Sequence, residues 1–283
     1  MAVLSEFVLE HGKETNDALA TVLNGVVENV QTRAVSEVLK NKNGSGNPEG
    51  GVIEYKRFAN AVLKDKGTAR TNTAGDKVVS KPVLVELSDD KEIVEELQFK
   101  DVKLFGIEGM AEKRAANFAN RVAAYLDRAF FGEAVNAGTK FTRGTLTTAK
   151  DIVDAMIVQA KSVSSDFIDG IDSEDLALVL SPTYTKGLKN ALDALPNGTV
   201  ASNGAIGRYD GIDTYESNRL GTGVQAVVML KGAIAQPYLL SEYYAEKVNL
   251  DDSIALQNFL YTGVEALSPE AIIYDADEAT PSA

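Results

Sequence analysis

The stretch "NGAIGRYDGIDTYESNRLGTG", residues 203–223, places five glycines in twenty-one positions, and the purpose of those glycines decides the fold. A glycine-rich loop cradles phosphate when it follows a strand, opens a helix and carries either G-x-G-x-x-G spacing or a Lys followed by Ser or Thr. Neither pattern is present. After Gly204 and Gly207 comes Arg208-Tyr209-Asp210-Gly211, and an Asp-Gly pair suits a tight hairpin turn whose central residues take positive φ. Ile212 to Ser217 then reads as extended chain rich in β-branched and aromatic residues. The stretch therefore predicts strand, turn and strand, with Gly204, Gly207, Asp210 and Gly211 as turn chemistry. The competing reading is a nucleotide-binding loop of an α/β enzyme.

On the N-terminal side, "DLALVLSPTYTKGLKNAL" gives a short buried strand at Leu176 to Leu180, Ser181 as N-cap, Pro182 at the first helical position and a helix to about Leu195. Before it, Ile152, Val153, Met156, Ile157 and Ala160 step by three and four along one inward helix face. Earlier still, Ala111, Ala115, Phe118, Val122, Tyr125, Leu126, Ala129 and Phe130 form the stripe of a long helix that stops at Gly138. On the C-terminal side, "VQAVVMLKGAIAQPY" supplies another buried strand. "YYAEKVNL", "QNFLYTGVEAL" and "AIIY" read as strands of a second sheet, and the tail "DADEATPSA" reads as disordered.

The first hundred residues behave differently. From Thr15 to Lys40 the apolar positions mark one long amphipathic helix that ends in "NKNGSGNPEGG", a cluster that predicts a flexible joint. The helix is then either a mobile arm or an ordinary core helix. Residues 54–101 look like two extended arms around the polar tip "KGTARTNTAGDK". Residues 54–81 carry seven bases (Lys56, Arg57, Lys64, Lys66, Arg70, Lys77, Lys81) against three acids. Residues 82–101 carry seven acids, among them Glu92, Glu95 and Glu96, against Lys91 and Lys100. An excursion of this length in an ordered protein is usually functional. The plainer reading is two solvated faces of a sheet.

Composition narrows the function. The chain has 283 residues, 45% hydrophobic, enough for one large or two smaller cores. Zero Cys excludes disulfides and thiolate metal sites, and the lone His11 leaves no His-rich zinc site and disfavours a Ser-His-Asp triad. A net charge of -13 argues against a general nucleic-acid binder. The N-terminus has no signal-peptide pattern and no run reaches membrane-span length, so a cytosolic site of synthesis is expected, where the N-x-S/T matches at Asn43 and Asn197 carry no glycan. The aspartates of "DFIDGIDSED" lack EF-hand spacing, and Asp89-Asp90, Asp251-Asp252 and Asp275/Asp277 are expected adjacencies among 41 acids. No nucleophile elbow, Walker motif or dinucleotide fingerprint occurs, so neither an enzyme nor a cofactor is expected.

Taken in order, the N-terminal arm, the two-armed excursion, the long helix, "LALVLSPTYTKGL", "GAIGRYDGIDTYES" and the strand leading into "AIAQPY" resemble the major capsid proteins of tailed bacteriophages, the Johnson or Hong Kong phage-type fold. The residues that carry the likeness are Leu178 to Pro182, Leu188, and Gly204, Gly207, Gly211 and Ile212. The resemblance implies an α+β chain in four parts: an N-terminal arm over 1–50, an extended loop over 51–101, a peripheral domain with spine helix over 102–146 and 233–283, and an axial domain over 147–232. It implies hexamers and pentamers closing into an icosahedral shell around DNA that is not read by sequence, with a separate scaffolding protein and a portal protein as partners. The location implied is the virion, after synthesis in a bacterial host cytoplasm. Subunit-interface roles then fall to Lys56, Arg57, Lys64, Lys66, Arg70, Lys77 and Lys81 on the basic arm and to Glu92, Glu95 and Glu96 on the acidic arm. Lys64, Lys66 and Lys77 near the tip suit the Lys-Asn crosslink of some members, but no Asn or Glu partner can be assigned, and no crosslink is expected. An encapsulin-like nanocompartment shares the fold and is the alternative.

Overall fold

The computed structural model describes residues 26–63, 65, 77–188, 205–241, 244–247 and 253–277. Its centre is a six-stranded sheet built around β5 (Leu176–Leu180). β5 is buried at every position because both of its faces are covered, which is why it reads as an unbroken apolar run. Leu176, Leu178 and Leu180 pack on one side against α3 (Ala149–Lys161) and α4 (Pro182–Leu188), through Ile152, Met156, Tyr184 and Leu188. Ala177 and Val179 face Phe130 and Phe131, near the end of the long helix α2 (Phe99–Ala137), on the other. The sheet runs β4 (Thr139–Lys140), β14 (Ile272–Ala276), β8 (Val224–Leu230), β5, β7 (Ile212–Glu216), β6 (Ala205–Tyr209), with β5 parallel to β7 and β4 parallel to β14.

The opening stretch forms the edge hairpin of this sheet. Tyr209 pairs with Ile212 across a two-residue turn, where Asp210 has φ 52° and Gly211 φ 77°. Both central residues are left-handed, the geometry that Asp-Gly favours. Gly207, at φ 151°, sits at a register shift between Ala205 and Gly207. Gly204 lies outside the described residues. The glycines shape a strand-turn-strand unit that opens no helix, so the geometry a phosphate cradle needs is not formed there.

Several expectations need correction. "AIIY" does not join the second sheet: Ile272 to Tyr274 pair with Met229 to Val227, so the chain returns to the first sheet near its end. Asp275 to Asp277 are accordingly ordered, and residues 278–283 lie outside the description. The two arms of the excursion are not one unit either. β1 (Val52–Phe58) pairs with β2 (Ser80–Glu86), but β3 (Asp89–Leu97) pairs along its whole length with β12 (Ile254–Thr262). β12 is shared on its other edge by β10 (Tyr238–Leu240) and β11 (Tyr244–Lys247), whereas β13 (Glu265–Ala266), within the "GVEAL" expected in this sheet, pairs instead with β9 (Ile234–Ala235) as a separate two-stranded ladder. This second sheet packs on α2 through Leu260 against Phe118, Val122 and Leu126.

The described part of the N-terminal segment is not an unattached arm. Residues 26–33 are helical, Ala34 breaks the helix with extended φ −81° and ψ 127°, and α1 (Val35–Leu39) resumes it. Val26, Val30 and Ala34 are buried against α2, while Val35 and Leu39 reach the cluster around Phe130 and Phe131. The expected flexible joint is structured as well. Asn47 caps a 3-10 turn at Pro48–Gly50, and the backbones of Ser45 and Glu54 exchange hydrogen bonds of 2.8 and 3.0 Å. α2 itself begins at Phe99, well before its legible apolar stripe.

Candidate assembly surface

The hairpin β1–β2 has two faces set by its register, in which Ile53 faces Val85, Tyr55 faces Val83 and Arg57 faces Lys81. Ile53, Tyr55 and Val85 are buried and pack, with Val83, on Ala235 and Leu267 of the body. The alternating residues point away, as strand periodicity requires. Phe58 is 58% exposed and Leu84 62%, and Val52, opposite Glu86, also lies open, as do Lys56 and Pro82 further along the same face. Beyond the strands the chain continues with Val62, Leu63, Val78 and Val79, Leu63 being 98% exposed. Seven of the eleven large exposed hydrophobics among the described residues thus lie between positions 52 and 84. Single exposed apolar residues are ordinary, but a run of them in one segment of the chain is the pattern that interaction surfaces show.

The base of the hairpin is clamped to its own body. The Arg57 guanidinium donates through Nη1 to the Leu267 carbonyl at 2.6 Å and through Nη2 to Glu270 at 2.5 Å, and it lies 4.6 Å over the Phe167 ring. Burial alone raises the Glu270 carboxyl, but hydrogen bonds from Arg57 and from its own backbone outweigh it and hold the group below its ordinary range. One turn further on, the Asn60 N–H donates to the Asp166 carbonyl at 3.0 Å. Sequence reading missed Gly263 here: a Cβ added to it would lie 2.1 Å from the Glu86 carbonyl oxygen, so the end of β2 passes where only glycine leaves room.

The charged residues named from sequence divide into groups. Arg57 is held within the chain, which removes it from the set free to meet a neighbour. Lys56 is exposed and lies 3.3 Å from Glu54 on the same strand. Lys77 and Lys81 are exposed, and Lys64, Lys66 and Arg70 lie outside the described residues. Glu92, Glu95 and Glu96 sit on β3, in the second sheet, and not opposite the basic arm. Glu95 takes a bidentate Arg114 guanidinium, whose hydrogen bonds pull its carboxyl below the ordinary range. Glu96 accepts from Ser253 Oγ at 2.5 Å, and Glu92 is exposed with a long 3.4 Å contact from Gln257.

Asp275 and Asp277, one of the carboxylate pairs considered for metal or acid-base work, are structural. Asp275 is fully buried and receives Arg143 through two hydrogen bonds of 2.5 and 2.8 Å and the Tyr184 hydroxyl at 2.9 Å. Arg143 also donates to Asp277, which accepts from Gln225. The network ties β14 to β8, to α4 and to the chain that follows β4. No grouping of acids among the described residues has the geometry of a metal site, and no described helix is long and apolar enough to cross a membrane.

A long helix, a buried sheet ending in a glycine-turned edge hairpin, a second sheet on the helix and a further hairpin with one open apolar face make up the fold seen in tailed-phage capsid structures. The capsid of the cyanophage P-SCSP1u superposes with a TM-score of 0.58 at 14% identity, over 86% of this chain and 88% of its own. A structure from Mycobacterium phage Che8 gives 0.56 at 17% identity over 80% and 84%. The virus-like particle of Pyrococcus furiosus gives 0.53 at 12% identity over 93% and 97%. No family model and no curated protein sequence matches the chain.

Proposed function

We propose that the chain is a major capsid protein, which assembles through hexamers and pentamers into the icosahedral head shell of a tailed bacteriophage. The observation that carries this reading is the β1–β2 hairpin: one face is packed on its own body and the other leaves Val52, Phe58 and Leu84 exposed, on a fold shared with a phage capsid. A shell subunit needs large self-complementary surfaces and no reaction centre. In this reading residues 51–101 overlie a neighbouring copy, with Lys56, Lys77 and Lys81 and the tip residues Lys64, Lys66 and Arg70 on the contact and Glu92 exposed on β3. Residues 147–232 form the axial domain. Residues 102–146 and 233–283 form the peripheral domain, with the strand near the chain end returned to the axial sheet. The shell encloses DNA without reading its sequence, a scaffolding protein and a portal protein are its partners, and it belongs to the virion after synthesis in the host cytoplasm.

A second reading, an encapsulin-like compartment that encloses a cargo protein, is favoured by the long two-way coverage of the Pyrococcus furiosus particle. Negative-stain microscopy and sedimentation of the purified chain test the shell itself. Closed particles, hexamers or pentamers are expected, and a monomer at high concentration would end the proposal. The contents separate the two readings: DNA, or shells that need a scaffold, against a co-purified cargo protein.

A further inference from the structure

Ser36 is the second residue of α1, a helix whose N-cap Ala34 offers no side chain to the first-turn N–H groups. The missing acceptor comes from α2. Asp127 Oδ1 accepts the Ser36 N–H at 2.9 Å, and its other oxygen, Oδ2, accepts Nη1 of Arg219 at 2.7 Å. The carboxylate is 1% exposed, so it has left water and depends on these two donors for its charge to be tolerated. Apolar contacts follow the same three-way junction: Val35 and Leu39 of α1, Phe130 and Phe131 of α2, and Leu220 beside Arg219 share one cluster. The seat is imperfect, because the Ser36 hydroxyl is buried with no partner among the described residues.

We infer that Asp127 couples the N-terminal segment, residues 26–39, to the turn at 217–220, so that the two loosen together while the six-stranded sheet stays closed. A buried carboxylate that loses one donor must recruit water, and water reaching Asp127 weakens the hydrogen bond to the other donor as well. Asp127 is thus a positioning residue that acts on α1 as a cap supplied from another helix. The coupling holds whether or not the chain builds a shell. It makes the N-terminal segment a unit of local opening in which Asp127 is the polar contact shared with the 217–220 turn, while the Gly232 N–H on the Leu39 carbonyl and Arg33 on Asn120 tie it to other parts of the chain.

Hydrogen exchange of the full-length protein tests this through Arg219, which among the described residues reaches α1 through Asp127. Arg219→Gln is expected to speed amide exchange across 35–40 by about ten- to hundredfold, the loss of one charge-assisted hydrogen bond. Arg219→Lys is expected to recover part of the protection, and exchange in β5 and α3 to stay at the wild-type rate. Faster exchange confined to 217–220 would show that the two segments are independent and overturn the coupling. Equal acceleration in β5 would show general destabilisation and overturn it too.

Discussion

The six-stranded sheet and the β1–β2 hairpin draw on the same residue types and put them to opposite uses. In the sheet, Leu178 and Val179 are fully buried on opposite faces, and its one buried acid, Asp275, is matched by Arg143 and Tyr184. In the hairpin, Ile53 and Val85 are buried, while Phe58 and Leu84, on the opposite face of the same two strands, are open. The sheet is complete within one chain. The hairpin leaves its outer face open, a face that a neighbouring copy would cover in the proposed shell, and its base is clamped to the body at Arg57. The difference separates what keeps the subunit folded from what would join subunits.

The largest expected effect would break the comparison if it failed. Leu178→Ala should cost the subunit about 2–5 kcal/mol, because it leaves a cavity in a core packed on both sides. Leu84→Ala removes the same atoms from an exposed site and should change subunit stability by less than about 0.5 kcal/mol. Denaturant unfolding of the unassembled variants reads the first contrast, and sedimentation under assembly conditions reads the second. Leu84→Ala, alone or with Phe58→Ser, should lower the yield of particles while leaving unfolding unchanged. Equal stability losses in Leu178→Ala and Leu84→Ala would mean that the hairpin face is already covered within the chain.

Gly211 sharpens the same line inside the sheet. Its φ of 77° disfavours side chains with a Cβ branch, but an added Cβ would meet only the Ser173 Cβ at an ordinary 3.6 Å. The cost of Gly211→Val is therefore backbone strain without a clash, about 1–3 kcal/mol. Gly211→Asn, which tolerates the left-handed region, should cost clearly less. Melting of the two variants measures the difference. If they melt alike, side-chain crowding at the turn, and not φ, sets the cost.

These cases show what sequence could and could not carry. The buried strand at Leu176 to Leu180, the inward face of α3 and the Asp210-Gly211 turn were legible because each is decided within a few residues, by a doubly apolar run, a three-four spacing or a dipeptide. The pairing of β3 with β12 was not, since no local signal ties Ile93 to Asn258, and the alternation in "EIVEEL" looks the same beside any partner. The charge change along 54–101 looked like two arms of one loop, but it marks where the chain passes from the hairpin into the second sheet. "AIIY" was legible as a strand and silent about its sheet. The clamp of Arg57 on Glu270 joins residues 213 apart, so Arg57 was grouped with the free bases. The open outer face of the hairpin could be found only once register showed which of its apolar residues face inward.

Acid should act at that clamp. Glu270 has a folded-state pKa below its unfolded value, so its bond to Arg57 contributes stability that is fully present above the unfolded value, near 4.3, and is lost as pH falls through the folded one. With the carboxylate partly exposed, the contribution is about 1 kcal/mol at most. Lowering pH below about 4.3 should therefore release the hairpin base before the sheet melts, seen as proteolysis near Phe58 to Asn60 while the near-ultraviolet signal of the buried tyrosines persists. Glu270→Gln should show that cleavage already at neutral pH. Acid cleavage of wild type that begins only with global unfolding would place the hold on the hairpin in Ile53, Tyr55 and Val85 instead.

The smallest effect on the subunit concerns the exposed lysines. Lys56 lies beside Glu54 in a pair that is open to water, worth about 0–1 kcal/mol, and Lys77 and Lys81 are exposed on the return side. Replacing all three with Glu should leave unfolding within about 0.5 kcal/mol of wild type, because none belongs to a core cluster. Between copies of the proposed shell the same charges would act differently: each small contact would recur at every copy, and the contacts at one subunit would hold together because its other edges are already held. The triple variant should therefore fail to assemble or give misjoined particles. Wild-type assembly should weaken as salt rises towards and beyond physiological strength, where screening reduces the reach of a charge to about 8 Å. The apolar face gives the opposite sign, since salts excluded from protein surfaces strengthen burial. Sedimentation of wild type and triple variant across a salt series separates the two contributions. Assembly of both that only strengthens with salt would assign the contact to Phe58 and Leu84 and leave the lysines as solvating charge.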